Sequence, residues 1–230
     1  MFAKYIAHAC GGINNITYTN SLEALNLAYN NGHRFIEFDI SKTSDDHYVL
    51  IHDWEQTRKK LFGKIGRTNL AEFTEDQMVN NYQQLTLADI LIWFKQHPDC
   101  YLVSDSKDIL PEELLAYIKK NSPELISRTI VQIYYFNQYK QVKKYAPKAI
   151  IFAAYHDEYK FAEIIDFIKL NPCDAVSMTQ EKARANFAFL IKKELDLPTI
   201  TFTINDKNKE EELKKLALDC FFTDFLTCAR

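Results

Sequence analysis

Two acidic side chains alternate with apolar ones in the segment Phe35–Ile40. Side chains two positions apart on a β-strand share a face, so Glu37 and Asp39 point one way and the apolar side chains between them point the other way. Two like charges inside a protein are costly unless they are protonated, paired or bound to a cation. The pattern therefore indicates either a cation site or an interior network of ion pairs.

A third carboxylate follows the same alternation in the segment Tyr101–Lys107, where Asp105 and Lys107 share a face. Three acidic oxygen ligands suit Mg²⁺ or Ca²⁺ better than Zn²⁺. We expect Glu37, Asp39 and Asp105 to bind one divalent cation. Lys107 has two possible roles at this stage, since its ammonium can contact a substrate phosphate or simply pair with Asp105.

Two predicted strands end in histidine, Lys4–His8 at His8 and Tyr48–His52 at His52. A single histidine at a strand end usually packs, but two beside an acidic strand favour catalysis. Cleavage of a phosphodiester requires one group that takes a proton from the attacking hydroxyl and another that gives one to the leaving alkoxide. His8 and His52 are the candidates for that pair. The other four histidines are expected to be surface residues: His33, His47, His97 and His156.

Short β-branched and aromatic segments alternate with longer amphipathic ones along the whole chain. The predicted strands are Lys4–His8, Phe35–Ile40, Tyr48–His52, Tyr101–Ser106, Thr129–Tyr134, Ala149–Ala154, Ala175–Met178, Thr199–Thr203 and Cys220–Thr223. The predicted helices are Ser21–Asn31, Leu87–Lys95, Pro111–Asn121, Asn137–Tyr145, Lys160–Leu170, Glu181–Glu194 and Lys209–Leu218. This order favours parallel strands joined by right-handed crossovers.

A doubly wound sheet and a closed barrel both fit that order. The chain has only five glycines and no glycine-rich phosphate loop, which argues against a nucleotide-binding doubly wound fold. If Tyr48–His52 merely extends the second strand, eight repeats remain, and they predict a compact TIM (β/α)8 barrel in a single domain, residues 1–230. Few residues follow Thr223, so we expect the final helix to be shortened or missing.

Composition excludes several classes of protein. The net charge is −3 and the basic residues are dispersed, so no nucleic-acid partner is expected. No apolar run is long enough for a transmembrane segment, and the absence of a secretory signal pattern predicts a cytoplasmic protein. The five cysteines lack metal-ligand spacing and are expected to be reduced thiols. Several aromatic residues either line an apolar barrel mouth or pack in the core: Trp54, Phe62, Phe73, Tyr134, Tyr135 and Phe136.

Taken in order, these motifs resemble the glycerophosphodiester phosphodiesterase family, within the superfamily of phosphatidylinositol phospholipase C-like phosphodiesterases. The likeness covers almost the whole chain. The segments that carry it are His8-Ala9-Cys10-Gly11-Gly12, Thr19-Asn20-Ser21, Glu37-Phe38-Asp39, His52-Asp53, Asp105-Ser106-Lys107, Thr203-Ile204-Asn205-Asp206 and Phe222-Thr223-Asp224.

The resemblance implies a TIM barrel that hydrolyses a small phosphodiester or lysophospholipid, with a three-carboxylate metal site and His8 and His52 as the acid–base pair. It also implies attack on phosphorus by a neighbouring hydroxyl of the substrate, giving a cyclic phosphate that water then opens. Residues 54–82 would be a short insertion after the second strand that covers the barrel mouth.

The chain departs from the family pattern at three positions. Ala9 stands where the family has a phosphate-contacting arginine, Thr19 replaces a glutamate, and Asp105 replaces the glutamate of the third strand. Asp-x-Lys without that arginine is similar to the related sphingomyelinase D and phospholipase branch. Three functions therefore stay open: a glycerophosphodiesterase, a lyase that releases the cyclic product, and a catalytically silent barrel that binds a phosphorylated ligand. The substrate head group and the oligomeric state are not predicted.

Overall fold

Eight parallel strands form the centre of the protein, which the computed structural model describes over residues 2–228. The strands of this part of the chain are β1 (Tyr5–Ala7), β2 (Phe35–Lys42), β3 (Tyr48–Val49), β4 (Tyr101–Ser106), β5 (Thr129–Ile133), β6 (Ala149–Ala154), β7 (Ala175–Met178), β8 (Thr199–Thr201) and β9 (Cys220–Thr223). The order β1-β9-β8-β7-β6-β5-β4-β2, with β1 also paired to β2, closes the sheet on itself. The predicted TIM barrel is confirmed.

The short strand β3 is not part of the barrel. It pairs antiparallel with the end of β2, with Val49 opposite Ser41. The predicted strand Tyr48–His52 is therefore wrong beyond Val49. The chain turns away there because the Leu50 amide donates to the Leu85 carbonyl instead of to β2. His52 consequently lies in a loop and not at a strand end.

Helices follow most strands of the barrel and cover its outside. They are α1 (Leu22–Asn30), α2 (Gln56–Phe62), α3 (Leu70–Glu75), α4 (Leu87–Gln96), α5 (Pro111–Asn121), α6 (Gln138–Lys143), α7 (Phe161–Leu170), α8 (Gln180–Arg184), α9 (Phe187–Leu195) and α10 (Lys207–Lys214). Side chains cap several of them, as their types predict: the Ser21 hydroxyl accepts from the Ala24 amide, and Thr86 and Asp89 form a capping box on α4.

The predicted single helix Glu181–Glu194 is wrong, because α8 and α9 are separate. Asn186 between them has φ 73°, a left-handed conformation that cannot continue an α-helix. The break lets Phe187 turn inward, where its ring stacks on Phe161 at a centroid distance of 4.1 Å. The other boundaries differ from the predictions by a few residues. No helix is present in residues 224–228 after β9, which confirms a missing or shortened final helix within the described chain.

The two faces of β2 explain how the acids come to lie inside. Ile36, Phe38 and Ile40 are fully buried on the outer face in the layer between barrel and helices. Glu37 and Asp39 occupy the inner face with 1% and 0% exposure. Apolar side chains from most of the other barrel strands fill the rest of the interior. The carboxylates are thus left at the carboxyl end of the strands, where βα-barrels carry their active sites.

Residues 54–82 connect β3 to α4 and contain α2, α3 and a 3-10 turn at Val79–Asn81. Trp54 and Phe73 pack with Val49 in one small apolar cluster. A second cluster joins Tyr82 to Ile13 in the loop after β1. The segment is thereby held against that loop.

Candidate functional site

Three carboxylates meet at the carboxyl end of β2 and β4. Asp39 and Asp105 are direct partners in the register of the two parallel strands, and Glu37 lies two residues before Asp39 on the same face. One oxygen of each acid lies within 4.8 Å of the others. The structure therefore brings together all three residues predicted to bind a cation.

Each of the two β2 acids is held by one oxygen. Glu37 accepts through Oε2 from the Ala9 amide at 2.7 Å. Asp39 accepts through Oδ2 from the Asn20 side chain at 2.8 Å, and the Asn20 side-chain oxygen in turn accepts from the Asp39 amide at 3.0 Å. Within residues 2–228 the second oxygen of Glu37, Oε1, is buried without a hydrogen-bond partner, and the second oxygen of Asp39, Oδ1, is buried and faces the Lys107 ammonium at 3.1 Å. Two oriented, desolvated oxygens of this kind suit a hard divalent cation.

Lys107 enters this cluster from the end of β4. Its ammonium lies 2.7 Å from Asp105 Oδ2 and 3.1 Å from Asp39 Oδ1. Burial alone would lower the pKa of Lys107, but the charges of Asp39 and Asp105 outweigh it and raise that pKa. Asp105 also accepts a hydrogen bond from the Tyr134 hydroxyl. Lys107 therefore pairs with Asp105, and it also lies at the edge of the cavity where a substrate would bind.

Crowding of the acids separates their pKa values. Burial and the adjacent charge of Asp39 raise the pKa of Glu37 to about 8. Burial opposes ionisation of Asp39 as well, but the charges of Lys107, His52 and His8 reverse this effect and lower the pKa of Asp39. In the metal-free protein Asp39 is therefore the more readily ionised of the two acids.

His8 follows β1 directly. Its Nδ1 lies 2.9 Å from Asp224 Oδ1, and the Asn205 amide group donates to the other oxygen of Asp224 at 2.8 Å. Burial lowers the pKa of His8, but the hydrogen bond to Asp224 and the charges of Glu37, Asp224 and Asp39 raise it to about 9. Because an ionised carboxylate can only accept, Nδ1 carries a proton, and Nε2 is the atom left to exchange one.

His52 has a matching arrangement. Its Nδ1 lies 2.9 Å from Asp53 Oδ2. Asp53 is held by the Thr57 hydroxyl at 2.6 Å and by the amides of Thr57 and Glu55. These hydrogen bonds and burial act in opposite directions, and the net effect lowers the pKa of Asp53. Each of the two predicted histidines is therefore oriented by a carboxylate on Nδ1.

Both histidines, two of the three acids and Lys107 line one cavity of about 240 Å³. It is lined by His8, Tyr18, Glu37, His52, Asp105, Lys107, Gln132, Tyr155, Phe202 and Phe222. A second cavity of about 540 Å³ shares Asp105, Lys107 and Tyr155 with the first. The smaller cavity thus has room for a small ligand, and the larger cavity beside it has room for a group attached to that ligand.

Several residues of the site escaped prediction. Tyr18 lies between the two histidines, Asn20 holds Asp39, and Asp224 holds His8. Asn20 and Asp224 belong to two of the motifs that resemble the family, so the sequence marks both residues without predicting what they bind. No sequence signal points to Tyr18.

The remaining histidines divide between surface and interior. The prediction that all four are surface residues is wrong for His33, which is 4% exposed. Its Nε2 lies 2.9 Å from the Leu226 carbonyl, a contact across the whole chain that local sequence cannot reveal. His97 is half-buried and stacks on Trp93 at 3.7 Å, whereas His47 and His156 are exposed.

The aromatic residues considered for a barrel mouth also divide. Trp54, Phe62 and Phe73 pack against one another, and Phe136 stacks on Phe167 at 4.1 Å. Tyr134 and Tyr135 line the larger cavity instead.

The longest apolar helices within residues 2–228 are too short or too polar to cross a membrane.

The model of the glycerophosphoryl diester phosphodiesterase family matches residues 10–227. The chain is similar in structure to a glycerophosphodiester phosphodiesterase from Parabacteroides distasonis, with 20% identity, a TM-score of 0.74 and coverage of 96% of this chain and 92% of that one. It is also similar to an Oleispira antarctica phosphodiesterase solved with the product sn-glycerol-3-phosphate, with 20% identity, a TM-score of 0.73 and coverage of 97% and 93%. A Thermotoga maritima glycerophosphodiester phosphodiesterase matches with 16% identity, a TM-score of 0.73 and coverage of 97% and 95%. No curated protein sequence matches the chain.

Proposed function

This chain belongs to the glycerophosphoryl diester phosphodiesterase family and is a phosphodiester hydrolase, and we propose that it cleaves small glycerophosphodiesters to glycerol phosphate and an alcohol. One observation carries the proposal. Two imidazoles, each held through Nδ1 by a carboxylate, line the same cavity as two of the three clustered acids. The Oleispira antarctica relative with bound sn-glycerol-3-phosphate supports a substrate of this size.

We propose that Glu37, Asp39 and Asp105 bind one divalent cation, Mg²⁺ or Ca²⁺. The buried Glu37 Oε1, which has no hydrogen-bond partner within residues 2–228, and the all-oxygen ligand set fit such an ion. When bound, it supplies positive charge that stabilises the phosphoryl oxygens as negative charge develops on them. Binding also offsets the cost of ionising Glu37 beside Asp39.

His8 and His52 act as the acid–base pair in this proposal. One Nε2 accepts the proton of the attacking hydroxyl, and the other donates a proton to the leaving alkoxide. Asp224 and Asp53 keep the proton on each Nδ1 and aim each ring. The attacking group is the neighbouring hydroxyl of the glycerol, which gives a cyclic phosphate that water opens with the two histidines in exchanged roles.

Lys107 is proposed to contact the phosphate. Its side chain is 23% exposed and lines both cavities. The Ala9 side chain is fully buried, so this position supplies a backbone donor to Glu37 and no side-chain cation. Lys107 is accordingly the one Lys or Arg side chain that lines the smaller cavity within the described chain.

We propose further that residues 1–230 form one barrel domain and that residues 54–82 are its short insertion. The two apolar clusters that join this segment to β3 and to the loop after β1 support it. The insertion therefore packs against the same loop that carries Asn20, whose side chain bonds to Asp39.

The test is turnover of glycerophosphocholine, glycerophosphoethanolamine and lysophospholipids with Mg²⁺, with Ca²⁺ and with chelator. We expect cation-dependent release of glycerol phosphate from the glycerophosphodiesters, and of its acylated form from any lysophospholipid that is cleaved. His8→Ala should lower the rate by about 10²-fold or more. His47→Ala removes an exposed histidine that lines neither cavity and serves as the matched control. It should retain wild-type turnover.

Product analysis separates the remaining functions. If a cyclic phosphate accumulates and water does not open it, the protein catalyses the lyase reaction and not hydrolysis. Cation binding without turnover of any substrate would contradict the proposed enzyme and favour a silent barrel that binds a phosphorylated ligand.

A further inference from the structure

The ring of Tyr18 stands between the two imidazoles that the proposed function makes catalytic. Its centroid lies 4.7 Å from that of His8 with an interplanar angle of 82°. It lies 4.9 Å from that of His52 with an angle of 74°. Both contacts are edge-to-face, the arrangement that aromatic rings prefer. One side chain therefore touches both histidines and spaces them across the cavity.

Hydrogen bonding holds each imidazole at one atom. Within residues 2–228 the hydrogen-bond partner of each ring is a single carboxylate at Nδ1, Asp224 for His8 and Asp53 for His52. One hydrogen bond sets the tautomer but leaves the ring free to rock about that bond. A second contact on another part of the ring removes this freedom and fixes the direction of Nε2.

The backbone holds Tyr18 in place at a conformational cost. Tyr18 has φ 65°, in the left-handed region that a bulky residue rarely adopts. Asn20 anchors the chain two residues later, since its side chain is bonded to Asp39 and its amide donates to the Ala9 carbonyl. Such strain persists only where the surroundings impose it, and it is concentrated at functional sites.

The contacts with both histidines belong to the ring and not to the hydroxyl. Within residues 2–228 the Tyr18 hydroxyl has no hydrogen bond to another protein group. Burial and the charge of Asp39 raise its pKa, so it stays un-ionised and supplies no charge to the site.

We propose that Tyr18 is a positioning residue whose ring holds His8 and His52 at a fixed separation and orientation, so that both Nε2 atoms address one phosphodiester. This inference rests on the proposed function. It adds that the carboxylates at Nδ1 are not sufficient to place the two imidazoles. Both imidazoles also need the ring of Tyr18 between them.

Two substitutions separate ring from hydroxyl. Tyr18→Phe keeps the ring and should retain kcat within about two-fold of wild type. Tyr18→Asn removes the ring with a residue that tolerates the left-handed backbone, and it should lower kcat by about 10- to 100-fold while KM changes by less than about three-fold. Tyr18→Leu should behave like Tyr18→Asn, which excludes an effect of the new amide.

A second measurement does not require turnover. In NMR spectra the Cε1–H resonances of His8 and His52 should carry a ring-current shift from Tyr18. The shift should persist in Tyr18→Phe and disappear in Tyr18→Asn, with exchange broadening of both signals as the imidazoles begin to rock. Thermal unfolding without Mg²⁺ checks that each variant folds. The increase in unfolding temperature on adding Mg²⁺ checks that it still binds the cation.

The outcomes are distinct. Full kcat in Tyr18→Asn, or equal losses in Tyr18→Phe and Tyr18→Asn, would overturn the spacer role, the second by assigning the effect to the hydroxyl. If wild type shows no turnover, the proposed function fails, and the histidine signals still decide whether Tyr18 orders the two rings.

Discussion

Cation binding should release a proton from Glu37. The pKa of this buried acid is raised to about 8 by burial and by the charge of Asp39, so at pH 7 roughly nine-tenths of the metal-free protein carries a proton there. A carboxylate must be deprotonated before it can act as a ligand. The cation and the proton therefore compete for the same oxygens, and acid weakens cation binding.

The size of the effect follows from that pKa. The apparent affinity is lowered by about 100-fold at pH 6, about 11-fold at pH 7 and about two-fold at pH 8 relative to a fully ionised site. Between pH 6 and pH 8 the affinity should rise by roughly 50-fold, which corresponds to about 2 kcal/mol. Above pH 9 it should level off.

Isothermal titration calorimetry with Mg²⁺ or Ca²⁺ in buffers of different ionisation enthalpy counts the protons. His8 complicates the count, because the charges of Glu37 and Asp39 contribute to its raised pKa and a bound cation offsets them. The His8→Asn variant removes that contribution and should release about 0.9 proton or more at pH 7. Adding Glu37→Gln to the His8→Asn variant leaves no proton to lose at position 37, and this protein should bind weakly, with an affinity that hardly varies over the same range.

An affinity of the His8→Asn variant that stays constant from pH 6 to pH 8, with no proton released, would refute the reasoning. It would mean that Glu37 is already ionised in the metal-free protein or lies outside the cation site. The Glu37→Gln titration distinguishes these two failures, because only a ligand weakens binding when it is replaced.

Two further predictions concern single carboxylates outside the cluster. Asp224→Asn should lower kcat by about 10²- to 10⁴-fold, since an amide no longer requires the proton on His8 Nδ1; unchanged kcat in a steady-state assay would show that Asp224 does not orient His8. Glu210 is fully buried and accepts from the Tyr5 hydroxyl at 2.5 Å and from Lys4 and Lys214 at 2.6 and 2.8 Å. Burial opposes its ionisation, but the hydrogen bonds from Lys214, Lys4 and Tyr5 prevail and lower its pKa from 4.5 to about 2. Glu210→Gln should cost about 1–3 kcal/mol in urea unfolding at pH 7, a range that allows for the exposure of the lysines. Because its folded-state pKa is depressed, this contribution is present above about pH 4.5 and is lost as the pH falls through 2; a difference between wild type and variant at pH 2 as large as that at pH 7 would contradict the assignment.

Local sequence pattern accounts for the correct part of the fold prediction. The period of two in Phe35–Ile40 placed the acids inside the barrel because only an apolar face can lie under the helices. The hydrogen bonds that begin α1 and α4 span only three residues, from Ser21 and Thr86, so they too are visible in the sequence. The same holds for Asp105 and Lys107, whose alternation is continuous with β4.

The errors arose where a contact spans a long stretch of chain. Tyr48–His52 has the composition of a strand, yet the Leu50 amide bonds to Leu85 and the strand ends at Val49. Glu181–Glu194 has a helical pattern, yet the left-handed backbone of Asn186 divides it and Phe187 packs against Phe161. His33 is buried because it meets Leu226 near the other end of the chain.

By itself the sequence determined which residues can carry charge, exchange protons and face the barrel interior, because these properties depend on residue type and on spacing of a few positions. Only the tertiary structure decided what orients them. Asp224 reaches His8 across 216 positions, and Tyr18 touches both His8 and His52 because a strained loop places its ring there. Closure of the barrel brings these distant residues within a few ångströms, and no local pattern records which of them will meet.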